Sequence, residues 1–179
     1  MIYYPDMNTI LYIRLTIDNS NPAIYRDIQV KSQTSLEVMH EIIQATFEWS
    51  NLHSHYFKDS TGNIIKDKKG ILIGSIITTS GSITYVYDYA DSWGVRIEVL
   101  EARDIMDENF TPICTDGRRN SPPEESGGIV CYTDTLDMLQ LHQNKEWRYP
   151  LIAEWLGEDY NPETFNMEAI NSRLQNIII

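Results

Sequence analysis

The chain has 179 residues, 42% of them hydrophobic, with 14 Lys and Arg against 26 Asp and Glu and a formal net charge of −12. That supply of apolar residues is enough for one domain with a real core, and it excludes an intrinsically disordered chain. The acidic balance opposes direct nucleic-acid binding, which needs a basic footprint against phosphate, and the longest apolar runs, such as ILIGSII, are far shorter than a membrane span.

Thr9–Ile17 (TILYIRLTI) is β-branched and apolar and reads as a strand. After the loop DNSNP, Ala23–Val30 (AIYRDIQV) alternates as a second strand antiparallel to the first. Thr34–Trp49 is the clearest helix. Thr34 and Glu37 fit a capping box, and Leu36, Met39, Ile43 and Phe47 recur at helical spacing as a core stripe. His53–Asp59 (HSHYFKD) reads as a strand entering an STGN turn. Ile71–Ile77 fits either a short helix or a buried strand, because periodicity does not separate the two. Ser82–Tyr89 and Trp93–Ala102 read as a hairpin with Ala90–Ser92 at the bend. Asn109–Gly128 is loop-rich and long for a compact domain; such segments are usually functional or pinned over a core. The remainder reads as helical: TDTLDMLQLHQN from a Thr or Asp cap, YPLIAEWLG with Pro150 early and Gly157 at its end, and NPETFNMEAINSRLQNIII. No basic region leading into an apolar stretch and a cleavage site opens the chain, so a cytoplasmic protein is expected.

The motifs IYRDI (Ile24–Ile28), MHEII (Met39–Ile43) with Trp49, HSHYF (His53–Phe57), YDYADSWGV (Tyr87–Val95), Cys114 with Gly117, PPEESGG (Pro122–Gly128), Cys131–Tyr132, and WLGEDYNPETFN (Trp155–Asn166) with Asn171 follow one another along nearly the whole chain. In this order they resemble the plasmid pRiA4b ORF-3-like family. The resemblance implies an α+β fold, an antiparallel sheet packed against helices with a helical C-terminal region. It implies a setting on plasmids and other mobile elements, and it brings no established reaction. The expected layout is a single domain over 1–179, with 1–132 as the sheet-and-helix core and 133–179 as a helical extension packed on it. Relative to the family pattern, Ala90 replaces a glycine, Glu125 an aspartate and Ser54 a leucine. Val95 replaces a histidine, which removes one potential base or metal ligand from the hairpin.

Several residues invite chemistry. His53 and His55, two apart on one expected strand, would share a face, and with Asp88 or Asp91 they would make a two-histidine, one-carboxylate metal site. The plainer reading has these histidines bonding backbone at a sheet edge. His40 falls on the apolar stripe of the first helix, which favours a satisfied core histidine over a catalytic one. Asp88 and Asp91 could be paired acid–base carboxylates, cation ligands or turn caps; alternation points them apart and favours the turn. In PPEESGG, Pro122 and Pro123 stiffen the entry and Gly127–Gly128 permits positive φ, so Glu124 and Glu125 are held in a defined place. Cys114 and Cys131 lie in no CxxC and read as reduced, partly buried thiols. KDKKG (Lys66–Gly70) and DGRRN (Asp116–Asn120) are the only basic clusters, and both read as solvated turns.

The favoured expectation is a non-enzymatic protein-binding accessory module of a plasmid, phage or other mobile element, with no cofactor and an unidentified protein partner. Its groove would lie between the Tyr87–Trp93 hairpin and the PPEESGG loop. Tyr87, Tyr89, Trp93 and Tyr132 would be exposed anchors, with Asp88, Asp91, Glu124, Glu125 and His53 around them. Two alternatives stand beside it: an acidic nucleic-acid mimic that blocks a host defence protein, and a metal-dependent hydrolase using His53, His55 and Asp88 or Asp91. The metal is not favoured, because His53, His55 and Asp91 are too few convergent ligands.

Overall fold

The structure, a computed structural model, describes residues 9–104, 110–141, 156 and 160–177. The strands are β1 (Thr9–Ile17), β2 (Tyr25–Lys31), β3 (His55–Lys58), β4 (Ile64–Ile65), β5 (Ser82–Tyr87), β6 (Trp93–Asp104) and β7 (Ile113–Arg118). They form one sheet in the order β4-β3-β5-β6-β1-β2-β7, and each neighbouring pair is antiparallel. The described helices are α1 (Leu36–Phe47), α2 (Ile73–Ser80), α3 (Gly128–Leu141) and α4 (Met167–Leu174). The chain is thus α+β, with α4 in its C-terminal part.

Alternation decides which face of the sheet is covered. Leu11, Ile13, Leu15 and Ile17 of β1 are buried, as are Arg26, Ile28 and Val30 of β2 and Trp93, Val95 and Ile97 of β6. All of these but Arg26 join Leu36, Met39, Ile43 and Phe47 of α1 in one hydrophobic cluster that also takes in Ile170 and Leu174 of α4. Only hydrophobic side chains one face deep are needed to bury a sheet this way, so the outer positions stay half-buried and polar. There Arg14 forks onto Asp27 at 2.7 Å and lies 4.2 Å from the centre of the Tyr25 ring.

Local chemistry explains where the elements depart from expectation. The N-cap of α1 is Ser35, not Thr34: the Ser35 hydroxyl accepts from Val38 N–H at 3.2 Å. Ile71–Ile77 resolves into a bridge followed by a helix. Leu72 pairs with Ser35, and Ile73 N–H donates to Thr34 C=O at 2.8 Å, so the segment is tied to the start of α1 before α2 begins. Ile73 and Ile77, four apart, then face the core. β7 lies within the segment read as a loop. Its sequence hides it because Cys114 is its one buried residue, leaving no alternation to see on an edge strand. β7 also takes up part of DGRRN, and Arg119 is buried and paired with Glu163 at 2.9 Å, so that cluster is not a solvated turn.

α3 begins at Gly128, five residues before the expected Thr133–Asp134 cap. The Thr133 hydroxyl instead bonds back to Ile129 C=O within the helix, at 2.8 Å. The expected YPLIAEWLG helix lies outside the described residues apart from Leu156, which is helical. Asn166 caps α4 by accepting from Ala169 N–H at 3.0 Å. Both cysteines are free; Cys114 is buried and Cys131 exposed. No described helix is long and apolar enough to cross a membrane.

Candidate functional site

β5 ends at Tyr87 and β6 begins at Trp93, and the chain between them turns through positive φ at Asp88 (58°) and Ser92 (53°). An aspartate tolerates that conformation because its side chain bonds the turn itself. Asp88 Oδ1 accepts from Ala90 N–H at 2.8 Å, and Ser92 N–H closes the turn onto Asp88 C=O at 2.7 Å. Asp91 Oδ2 accepts from Gly127 N–H at 2.9 Å. The two acids therefore serve different backbone segments and form no dyad, in agreement with the turn reading.

The PPEESGG loop is stapled to this corner. Trp49 Nε1 donates to Pro122 C=O and Trp93 Nε1 to Glu124 C=O, both at 3.1 Å. The Glu124 carboxylate accepts from the Tyr87 hydroxyl at 2.5 Å and from Ser50 N–H at 2.8 Å. The same hydroxyl accepts from Leu52 N–H at 3.0 Å. Burial, and then the bond to Glu124, push the Tyr87 phenol up to about 12. Gly128 has φ +77°, and a Cβ there would lie 2.3 Å from Asp91 C=O, so glycine alone permits this approach.

This arrangement corrects the expected exposure of the aromatic anchors. Tyr87, Trp93 and Tyr132 are 0%, 1% and 1% exposed, whereas Tyr89 is 65% exposed. The three buried rings keep their polar tips satisfied, Tyr132 by a hydroxyl bond to Tyr160 at 2.6 Å, so burial costs them no unpaired group. Tyr87 stacks on Trp49 at 5.2 Å, a ring that the sequence marked only as the end of a helix. Tyr89 stands outside, stacked face to face on Tyr56 at 5.5 Å. Tyr56 was missed as a site residue; its place beside buried Phe57 on β3, on the alternate face, is the signal that could have found it.

The histidines do not gather. His53 precedes β3 and is not on one strand with His55. Its Nε2 lies 3.0 Å from Glu125 Oε1 and its Nδ1 3.6 Å from Asp88 Oδ2. The Glu125 bond first, aided by the Asp88 and Glu124 charges, raises its pKa. His55 instead stacks on His40 at 3.5 Å and meets Lys68 Nζ at 3.0 Å. Burial above all, with His40 and Lys68 adding to it, pushes His55 down to about 4. His40 is a satisfied core histidine, bonded to the Tyr85 hydroxyl at 2.8 Å and Asn51 Oδ1 at 2.9 Å. Among the described residues, no three His, Cys, Asp or Glu side chains come together to hold a metal ion. The proposed His53, His55 and Asp88 or Asp91 hydrolase set therefore has no geometric basis.

Exposed around the corner are Tyr89 stacked on Tyr56, the His53–Glu125 pair, and Leu52, which is 79% exposed. The family described as "Plasmid pRiA4b ORF-3-like protein" matches residues 9–169. An uncharacterised protein of Sinorhizobium fredii, y4hQ, is 22% identical over 182 residues, covering 94% of this chain and 92% of its own. The crystal structure of MM3350 from Methanosarcina mazei Go1, a protein of unknown function, superposes with a TM-score of 0.79 at 28% identity, over 89% of this chain and 96% of that one.

Proposed function

The chain belongs to the plasmid pRiA4b ORF-3-like family, and from that premise we propose that it is a non-enzymatic protein-binding module of a mobile element. Its binding edge is the outer face of the stapled corner. The observation that carries this reading is Tyr89, a largely exposed ring propped on Tyr56 above a turn whose two carboxylates are taken up by backbone N–H groups. A rigid exposed aromatic loses little conformational entropy on contact, and such rings dominate binding hot spots. Glu125 and the net charge of −12 favour a partner with a basic surface.

The acidic-decoy alternative gains nothing from Asp27, Glu48, Glu101 and Glu163, whose charges are offset by Arg14, Arg173, Arg103 and Arg119. The test is affinity capture from cells carrying the element, run in parallel with wild type, Tyr89→Ala and Tyr56→Ala. A partner bound by wild type should weaken roughly 30-fold or more in Tyr89→Ala, the loss of a hot-spot ring, and should weaken further with salt. A partner held equally by both variants would refute this binding edge.

A further inference from the structure

Arg26 lies at the heart of the IYRDI motif and is 2% exposed, yet among the described residues no carboxylate lies within ion-pair range of it. Its Nη1 donates to the carbonyls of Tyr25 and Arg118 at 2.8 and 2.9 Å, and Nη2 donates to the Ser121 hydroxyl at 3.1 Å. Nε is buried and has no hydrogen-bond partner. The guanidinium sits between the rings of Phe47 and Phe165, 5.4 and 5.0 Å from their centres. Burial pushes it down to about 10, so it remains a cation at neutral pH. A buried cation with an orphaned N–H is costly unless something compensates it.

The same arginine lines a cleft of about 210 Å³ between the sheet and α4, walled by Glu48, Ser121, Thr164, Phe165 and Asn166. Gly117 lets Phe165 and Arg26 pack this closely beside the cleft, since a Cβ there would lie 2.4 Å from the Phe165 ring and 2.9 Å from Arg26 Cδ. We infer that this cleft is a binding site for a small carboxylate, received by the Nε–Nη2 edge of Arg26. That edge offers parallel N–H groups that match a planar carboxylate; Arg14 uses the same edge on Asp27. The Ser121, Thr164 and Asn166 side chains supply a polar lip, and Phe165 supplies an apolar wall. Glu48 at the wall is paired with Arg173 at 2.9 Å, which offsets its charge, so the guest meets the single cation of Arg26, which a monoanion matches and a phosphate dianion exceeds. The cleft is smaller than the roughly 300 Å³ at which drug-sized sites begin, so the guest has few heavy atoms. This site is separate from the Tyr89 corner and does not depend on it.

The test follows the Arg26 Nε–H resonance of ¹⁵N-labelled protein while acetate, or inorganic phosphate, replaces chloride at constant ionic strength. Acetate should move the resonance saturably in the millimolar range, and phosphate should not. Ala169→Leu adds bulk to the cleft wall on α4 and should weaken the acetate response at least tenfold. Thr164→Phe, at the exposed lip, serves as a second block should the first variant fold poorly. No saturable shift with acetate, a response to phosphate instead, or an acetate response unchanged in a folded blocking variant would each overturn the inference and leave Arg26 a purely structural cation.

Discussion

Tyr87→Phe tests whether the corner is held by the bonds described above. The substitution keeps the buried ring and its stack on Trp49 and removes one oxygen. That oxygen donates to Glu124 Oε1 at 2.5 Å and accepts from Leu52 N–H at 3.0 Å and His53 N–H at 3.3 Å. A hydrogen bond to a charged acceptor contributes about 1.5 to 3 kcal/mol, and a donor left behind adds to the loss where water cannot reach it. Leu52 and His53 are partly exposed, so water replaces most of their share and the expected loss is about 2 to 3 kcal/mol. For a chain of this size each kcal/mol lowers Tm by about 2 to 4 °C, which gives a fall of roughly 4 to 12 °C. Calorimetry measures the fall. Hydrogen exchange should show faster exchange at Leu52, whose N–H loses its acceptor, and at Ser50, whose partner Glu124 is released. A fall of less than about 0.5 kcal/mol, the noise level of neutral surface changes, with unaltered exchange at both amides, would refute the staple.

Gly62 and Gly128 both have positive φ, but a Cβ at Gly62 meets nothing and one at Gly128 meets Asp91 C=O. Urea denaturation should therefore show Gly62→Ala costing about 1 to 2 kcal/mol for the backbone conformation and Gly128→Ala clearly more; equal costs would mean the loop does not approach Asp91. Tyr89→Ala should change stability by no more than about 0.5 kcal/mol, since the ring is largely exposed, and a larger fall in Tm would make Tyr89 a structural prop. His53, raised mainly by Glu125, should titrate above its ordinary value in an NMR titration and fall back in Glu125→Gln. Its small stabilisation is then full below the unfolded pKa and lost as pH rises through the folded one; an unchanged midpoint in Glu125→Gln would exclude the pair. His55 has the opposite sign. Held down near 4, it binds fewer protons folded than unfolded, so stability should fall as pH drops from about 6.5 towards 4. The urea midpoint should follow that course and flatten in His55→Gln; an equal slope in that variant would assign the acid sensitivity elsewhere.

β1, β2, α1 and the β5–β6 hairpin were legible because each rests on a local pattern, such as the β-branched, apolar run of Thr9–Ile17 and the stripe at helical spacing from Leu36 to Phe47, while the α+β class was what the family resemblance implied. The order of motifs carried the family for the same reason, since it needs no distances. What failed was whatever depends on contacts far apart in the chain. Trp93 and Tyr87 have apolar bodies and polar tips, and either a partner surface or a core can use them. Only the folded chain brings the Glu124 carbonyl to one and the Glu124 carboxylate to the other, and so makes them core.

The same logic separates His53 from His55. Two residues apart in sequence, they were read as one face, but β3 starts at His55, and the fold sends one ring to Glu125 and the other to His40. β7 was hidden because an edge strand with one buried residue has no period to read. Arg26 stood inside the IYRDI motif, but nothing in the reading of the sequence marked it as buried. On β2 it takes an inward position like Ile28 and Val30, and sequence alone reads a charge there as exposed. The sequence by itself determined β1, β2, α1 and the β5–β6 hairpin with their apolar inward positions, because hydrophobic periodicity is a property of neighbours along the chain. Tertiary structure decided which polar groups are satisfied, which rings remain outside and where a cation lies unpaired, because a hydrogen bond or an ion pair exists only when two distant segments meet within about 3 Å.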